Sequence, residues 1–215
     1  KGNHIEALNL PGIATGSVAT DGKYYYTSGS LTAFGMTSIT KWDAETMEVL
    51  VKNDSPIPQE YIDNYGSDHV GGISYYDGII YAANEYAKLM AINGKDGSVV
   101  WEAADYLPEV SSPVVANGKI YIATSYGVLA VYNAKTGEMI AEKELNVELY
   151  SSPMVVEGKI YLIAKDGQVF IFSTDDAVTQ INSFATGEAT YATPAFLDGM
   201  IVIRTEQSLY CVADK

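Results

Sequence analysis

Short runs of alternating apolar and polar residues, broken by glycine turns, recur along the chain. Residues 113–116 are apolar, Asn117-Gly118 marks a turn, and Lys119-Ile120-Tyr121-Ile122-Ala123 alternates. A second turn ends at Gly127, and a further apolar run covers 128–132. Asn-Gly between two such runs signals a type I′ hairpin, because both central residues must take positive φ. A last strand follows Ala134-Lys135-Thr136-Gly137, so about 40 residues hold four short strands. Apolar stripes at the 3.6-residue helical period are missing, and the pattern predicts strands throughout.

The unit repeats. SSPVVANGKIYIATSYGVLAVYNAKTGEMIAEKEL, from Ser111, aligns without a gap on SSPMVVEGKIYLIAKDGQVFIFSTDDAVTQINSF, from Ser151, at an offset of 40. The turn glycines are Gly22, Gly78, Gly118, Gly158 and Gly199, separated by 56, 40, 40 and 41 residues. Five units follow, at about 12–54, 69–105, 110–145, 150–184 and 191–215, within one domain spanning 1–215. The fifth unit lacks a fourth strand, and residues 1–10 supply one when Gly2 is laid on the slot of Gly137. Four antiparallel strands per repeat are the dimensions of a propeller blade. The expected fold is therefore all-β: a five-bladed β-propeller of four-stranded antiparallel blades, closed by the N-terminal strand completing the last blade. The competing arrangement takes the five units as part of a ring of seven or eight.

SPVVANGKIYIATSYGVLAVYNAKTGEMI and LMAINGKDGSVVWEA resemble the PQQ-like (quinoprotein-type) β-propeller repeat, whose Ala-x-Asn/Asp-x-x-Thr/Asp-Gly turn precedes a Trp. Nearly the whole chain shares the resemblance, yet only Trp101 keeps that Trp; Val51, Ala141 and Ile181 stand in the corresponding places. Quinoprotein dehydrogenases of this kind carry eight blades, a coordinated calcium, an acidic catalytic residue and usually an adjacent Cys pair. None of that set can be assigned here, so the resemblance implies a non-dehydrogenase member with no PQQ or other cofactor. It also implies an extracytoplasmic location, periplasmic or at the cell surface.

Charge narrows the partners. Thirteen Lys and Arg against 27 Asp and Glu give a net charge of −14, which repels phosphate backbones and anionic lipid headgroups. Nucleic acid is excluded as a partner. No apolar run reaches the length of a membrane span, so membrane insertion is not expected. The single cysteine, Cys211, permits no intrachain disulfide, and no His or Cys cluster suggests a metal site.

Aligned on the turn glycines, Gly16, Gly72, Ser112, Ser152 and Thr193 all fall at one place, predicted to ring the central axis where bulk is excluded. Three residues earlier stand Ile13, His69, Glu109, Leu149 and Thr190, followed by Ala14, Val70, Val110, Tyr150 and Tyr191, read as a mixed polar and aromatic pocket. The long insertion over 53–68 leads into His69, and insertions in repeat proteins often build the binding face. The candidate ligand-binding residues are thus Tyr61, Tyr65, Asp68, His69, Glu109, Tyr150 and Tyr191. Tyr25, Tyr81, Tyr121 and Tyr161, each three residues after a turn glycine, are assigned to packing between blades.

No catalytic residue is assigned. Five-bladed glycoside hydrolases need inward carboxylates, and the five inner strands contain no Asp or Glu. The expected function is a non-catalytic binding or protein-interaction scaffold of the bacterial cell envelope, a monomer taking a protein or carbohydrate ligand at the channel face. The alternatives are the propeller portion of a larger hydrolase or oxidoreductase, and a lectin-like module.

Overall fold

A computed structural model of the chain describes residues 18–29, 38–46, 49–53, 72–83, 88–197 and 199–213, and among them every regular element is a strand. The first sheet holds β1 (Ala19–Thr20), β2 (Tyr24–Gly29), β3 (Ser38–Asp43) and β4 (Val49–Asn53). The second holds β5 (Ile73–Tyr76), β6 (Ile79–Ala83), β7 (Leu89–Asn93) and β8 (Val99–Ala103). In the third are β9 (Val114–Ala116), β10 (Lys119–Ala123), β11 (Val128–Asn133) and β12 (Met139–Glu144). The fourth contains β13 (Met154–Val156), β14 (Lys159–Ile163), β15 (Gln168–Ser173) and β16 (Gln180–Ala185). The fifth contains β17 (Ala195–Leu197), β18 (Met200–Arg204) and β19 (Leu209–Ala213). Each sheet is an antiparallel meander in chain order.

The turns form for the reason the glycines suggested. Asn117 and Gly118 have φ of 53° and 74°, Asp77 and Gly78 47° and 83°, as a type I′ turn requires. Glu157 takes the same conformation, at 50°, without an Asn or Asp side chain to ease it. The turn between third and fourth strands is built by a carboxamide or carboxylate. Asn133 Oδ1 accepts from the N–H groups of Lys135 and Thr136, and Asp43 Oδ1 accepts from those of Glu45 and Thr46. A register shift follows at the same place in the first four sheets, between Lys41/Trp42, Ala91/Ile92, Val131/Tyr132 and Ile171/Phe172.

The innermost strands stand side by side in the order β1, β5, β9, β13. Their small residues are joined from sheet to sheet. The Ser112 N–H donates to Ser152 Oγ at 2.9 Å, and the Ser152 N–H donates to Thr193 Oγ1 at 3.0 Å. A β-carbon on Gly72 would collide with the Ser112 hydroxyl. Crowding at this ring is seen at Gly72, and two of the ring's joints are hydrogen bonds; Gly16 lies outside the described residues.

Apolar side chains fill the spaces between sheets. Tyr81, Leu89, Ile120, Ile122 and Tyr132 form one cluster between the second and third sheets, and Tyr121, Leu129, Ile160, Leu162 and Phe172 form another between the third and fourth. Tyr81 and Tyr121 pack across these boundaries as expected, and Tyr161 packs across the next one, against Phe196 of the fifth sheet at 4.7 Å between ring centroids. The fifth sheet has three strands among the described residues, and the strand expected from residues 1–10 lies outside them.

Candidate interaction face

The meander sorts the connections onto two sides. Hairpins between first and second strands, and between third and fourth, lie on one side; loops between second and third strands, and crossings to the next sheet, lie on the other. On this second side each crossing is tied to the loops around it. Leu149 N–H donates to Ser125 O, Lys165 N–H to Glu148 O, Thr190 N–H to Lys165 O, and Glu206 N–H to Ala189 O. Buried hydroxyls anchor the crossings from below: Ser111 Oγ to Ala123 O, Ser151 Oγ to Ile163 O, and Thr190 Oγ1 to Arg204 O, at 2.6 to 2.7 Å. A β-carbon at Gly127 or Gly167 would strike the carbonyl of Val147 or Glu188, so these loops accept only glycine.

Two candidate tyrosines meet on this face. The rings of Tyr150 and Tyr191 lie 5.9 Å apart, tilted by 59°, and Lys165 Nζ sits 5.4 and 5.9 Å from their centroids. A cation over aromatic faces is held by the ring quadrupole. Lys165 is also ion-paired with Glu148, and the hydrogen bond to that carboxylate raises its pKa. Tyr191 is 52% exposed and borders a shallow recess of about 110 Å³ with Ala192, Arg204, Thr205 and Glu206. Tyr126 is 55% exposed on the loop of the third sheet, and Tyr106 is hydrogen-bonded to Glu142, which raises the Tyr106 pKa.

Beside the recess, Glu188 accepts hydrogen bonds from Thr205 Oγ1 at 2.5 Å and from Ser208 Oγ and the Tyr210 hydroxyl at 2.9 Å. Those hydroxyls, Thr205 foremost and then Ser208, hold its carboxyl below the usual range against some desolvation. The same contact raises the Tyr210 pKa. The carboxylate is fully engaged in bracing the loop.

The sequence-based pocket is only partly assembled. Glu109 is half-buried on the crossing from the second to the third sheet, while Tyr150 and Tyr191 form the pair just described. Leu149 and Thr190, expected in the same pocket, are instead 1% and 2% exposed: the first joins the core, and the second bonds Arg204 O. Tyr61, Tyr65, Asp68 and His69 lie outside the described residues. Lys165 and Glu148 were missed. The available signal was a charge at position 165 where the preceding repeat has Ser125. Among the described residues no three His, Cys, Asp or Glu side chains are grouped to hold a metal ion.

Among the described residues, four four-stranded antiparallel sheets set side by side at their innermost strands, followed by a fifth of three strands, define a β-propeller protein. Residues 107–203 match a PQQ-like repeat model described as outer membrane protein assembly factor BamB. Among curated proteins no sequence matches the chain. Among solved structures, BamB from Moraxella catarrhalis superposes with a TM-score of 0.76 over 98% of this chain at 10% identity, and this chain spans 60% of that one. The computationally designed Ika4 protein gives 0.63 over 81% of this chain and 100% of its own, at 13% identity. The designed Ika8 protein gives 0.62 over 93% of this chain and 70% of its own, at 12% identity.

Proposed function

We propose that this propeller is a non-catalytic protein-interaction scaffold of the bacterial cell envelope, working outside the cytoplasm without a bound cofactor and docking a protein partner on its loop face. The observation that carries this reading is the braced aromatic surface of Tyr150, Tyr191 and Lys165, with Tyr126 exposed on the neighbouring loop. Tyrosines held rigid by surrounding hydrogen bonds offer large contact area at low entropic cost, and such residues dominate protein interfaces. The enlarged connection from β4 to β5 links the same two strand ends as the other crossings, and the candidate residues Tyr61, Tyr65, Asp68 and His69 fall within it, outside the described residues. The resemblance of residues 107–203 to an outer-membrane assembly factor supports an envelope role.

Photo-crosslinking in cells tests the reading. A benzophenone amino acid at position 191 or 126 should capture a discrete envelope protein, whereas one at Lys135, on the hairpin side, should not. Equal capture on both sides, or none on the loop face, would overturn it. Tyr191→Ala and Lys165→Ala should each weaken binding to the captured partner roughly tenfold, as removal of an interface anchor does, without lowering the thermal midpoint.

A further inference from the structure

Arg204 is the chain's only arginine, and nothing in the repeat asks for it. The corresponding residues of the second, third and fourth sheets, five positions after the turn glycine, are Ala83, Ala123 and Ile163, each 1% exposed or less. Arg204 is exposed in that place, and its guanidinium makes no hydrogen bond or ion pair among the described residues. Lysines on the loops of the second and fourth sheets are already engaged, Lys88 with Glu102 and Lys165 with Glu148. In a chain with 27 acidic side chains against 13 basic ones, a cation left without a partner is available to a carboxylate from elsewhere.

The surroundings select that carboxylate. Arg204 shares the recess of about 110 Å³ with the exposed ring of Tyr191. This volume is far below the roughly 300 to 1,000 Å³ of a small-molecule pocket, so it fits one side chain of a larger partner. Lys165 Nζ, 5.9 Å from the Tyr191 centroid, adds a second positive charge at the same ring. Backbone donors at the rim are spent: the Thr205 N–H on Ser208 O, the Glu206 N–H on Ala189 O, and the Ala192 N–H on Thr190 Oγ1. They leave no backbone nest of the kind that captures a phosphate or a chain terminus. A guanidinium fork needs no such help, because it matches a carboxylate with two parallel hydrogen bonds. We infer that Arg204 is the anchor for an aspartate or glutamate side chain of the docked protein, seated against Tyr191. This inference rests on the docking reading above and names the chemistry that the partner must carry.

A sole arginine gives a single side-chain Nε–H resonance, and that resonance is the readout. In a nitrogen–proton correlation spectrum of the full chain, the capped peptide acetyl-Ala-Ala-Glu-Ala-Ala-amide should shift it saturably, and the Gln counterpart should not. The free acid acetyl-Ala-Ala-Ala-Ala-Ala should move it less than the Glu peptide does. Glu206→Gln should tighten the Glu peptide roughly threefold, by removing a like charge from the rim. Equal shifts with the Gln peptide, a stronger response to the free acid, or no response to the Glu peptide would overturn the assignment. Crosslinking separates this anchor from the docking reading. Capture from position 126 should be lost when Arg204→Glu is added. Undiminished capture would overturn the anchor and leave the scaffold standing, whereas a Glu-peptide shift without any capture would overturn the scaffold and leave the anchor.

Discussion

The boundary between the second and third sheets and that between the third and fourth are built on the same slots of the same repeat, yet they are filled in opposite ways. At the first, the bulk comes from the outer strand: Trp101 lies against Gly137, and Trp101 Nε1 and the Tyr81 hydroxyl both donate to Ala134 O at 3.1 Å. At the second, Ala141 stands in the Trp place and the bulk comes from the facing turn, where Val178 is fully buried at a φ of 48°. Thr174 O, which corresponds to Ala134 O, is taken by Lys119 Nζ at 2.7 Å, and Lys119 is also paired with Asp176. Tyr121, the counterpart of Tyr81, is buried with no partner for its hydroxyl among the described residues, and burial raises its pKa. The lesson is that the repeat conserves a volume and an acceptor, and the two sides of a boundary divide the filling between them.

The largest effect should come from Trp101→Ala. It removes both the indole packing and one of the bonds to Ala134 O, and should cost about 3 kcal/mol in a urea melt; a loss below about 1 kcal/mol would mean the slot collapses and the volume is not conserved. Next, Ala141→Trp should destabilise by about 2 kcal/mol through overpacking against Val178. Adding Val178→Gly should recover much of that loss, since it clears the slot and relieves a left-handed β-branched residue. Strict additivity of the two changes in a double-mutant cycle would break the comparison.

Smaller still, Tyr81→Phe should cost about 1 kcal/mol, whereas Tyr121→Phe should be neutral or slightly stabilising, because only the former loses a hydrogen bond. Equal losses in thermal denaturation would show that Tyr121 has found a partner such as water. The smallest effect belongs to the fifth sheet. The Glu188 carboxyl is held below its ordinary 4.5, so its contribution is present above that pH and fades as pH falls through the lowered value. Glu188→Gln should therefore lower stability at pH 7 and flatten the acid side of the stability profile; an unchanged slope in a pH series of melts would count against the hydroxyl cage.

Most of the fold could be read from the residues because hairpins are local events. Asn117-Gly118 and Asp77-Gly78 must take positive φ, and the strands on either side inherit their register from that turn. The predicted run at 119–123 became β10 unchanged, and 128–132 became β11 with one residue added. The face was harder. Leu149 and Thr190 occupy equivalent places in the repeat, but their direction depends on hydrogen bonds from neighbouring loops, such as Leu149 N–H to Ser125 O, which no local pattern encodes. Lys165 escaped notice for the same reason: its partners Glu148, Tyr150 and Tyr191 come from two different crossings. The Val178 exchange for Trp101 was invisible because it is complementary only across a boundary.

The joints at the axis have a direction. At Ser152 one residue both receives, through its hydroxyl, from the sheet behind and gives, through its N–H, to the sheet ahead. A unit of this kind carries both halves of its own coupling, like a railway carriage with a hook at one end and a ring at the other. Tandem duplication of a coding segment about 40 codons long would therefore deliver a ready-made neighbour, with no new surface to be evolved for it. Lengthening such an array is a matter of copying, and diversification is left free to act on the loops.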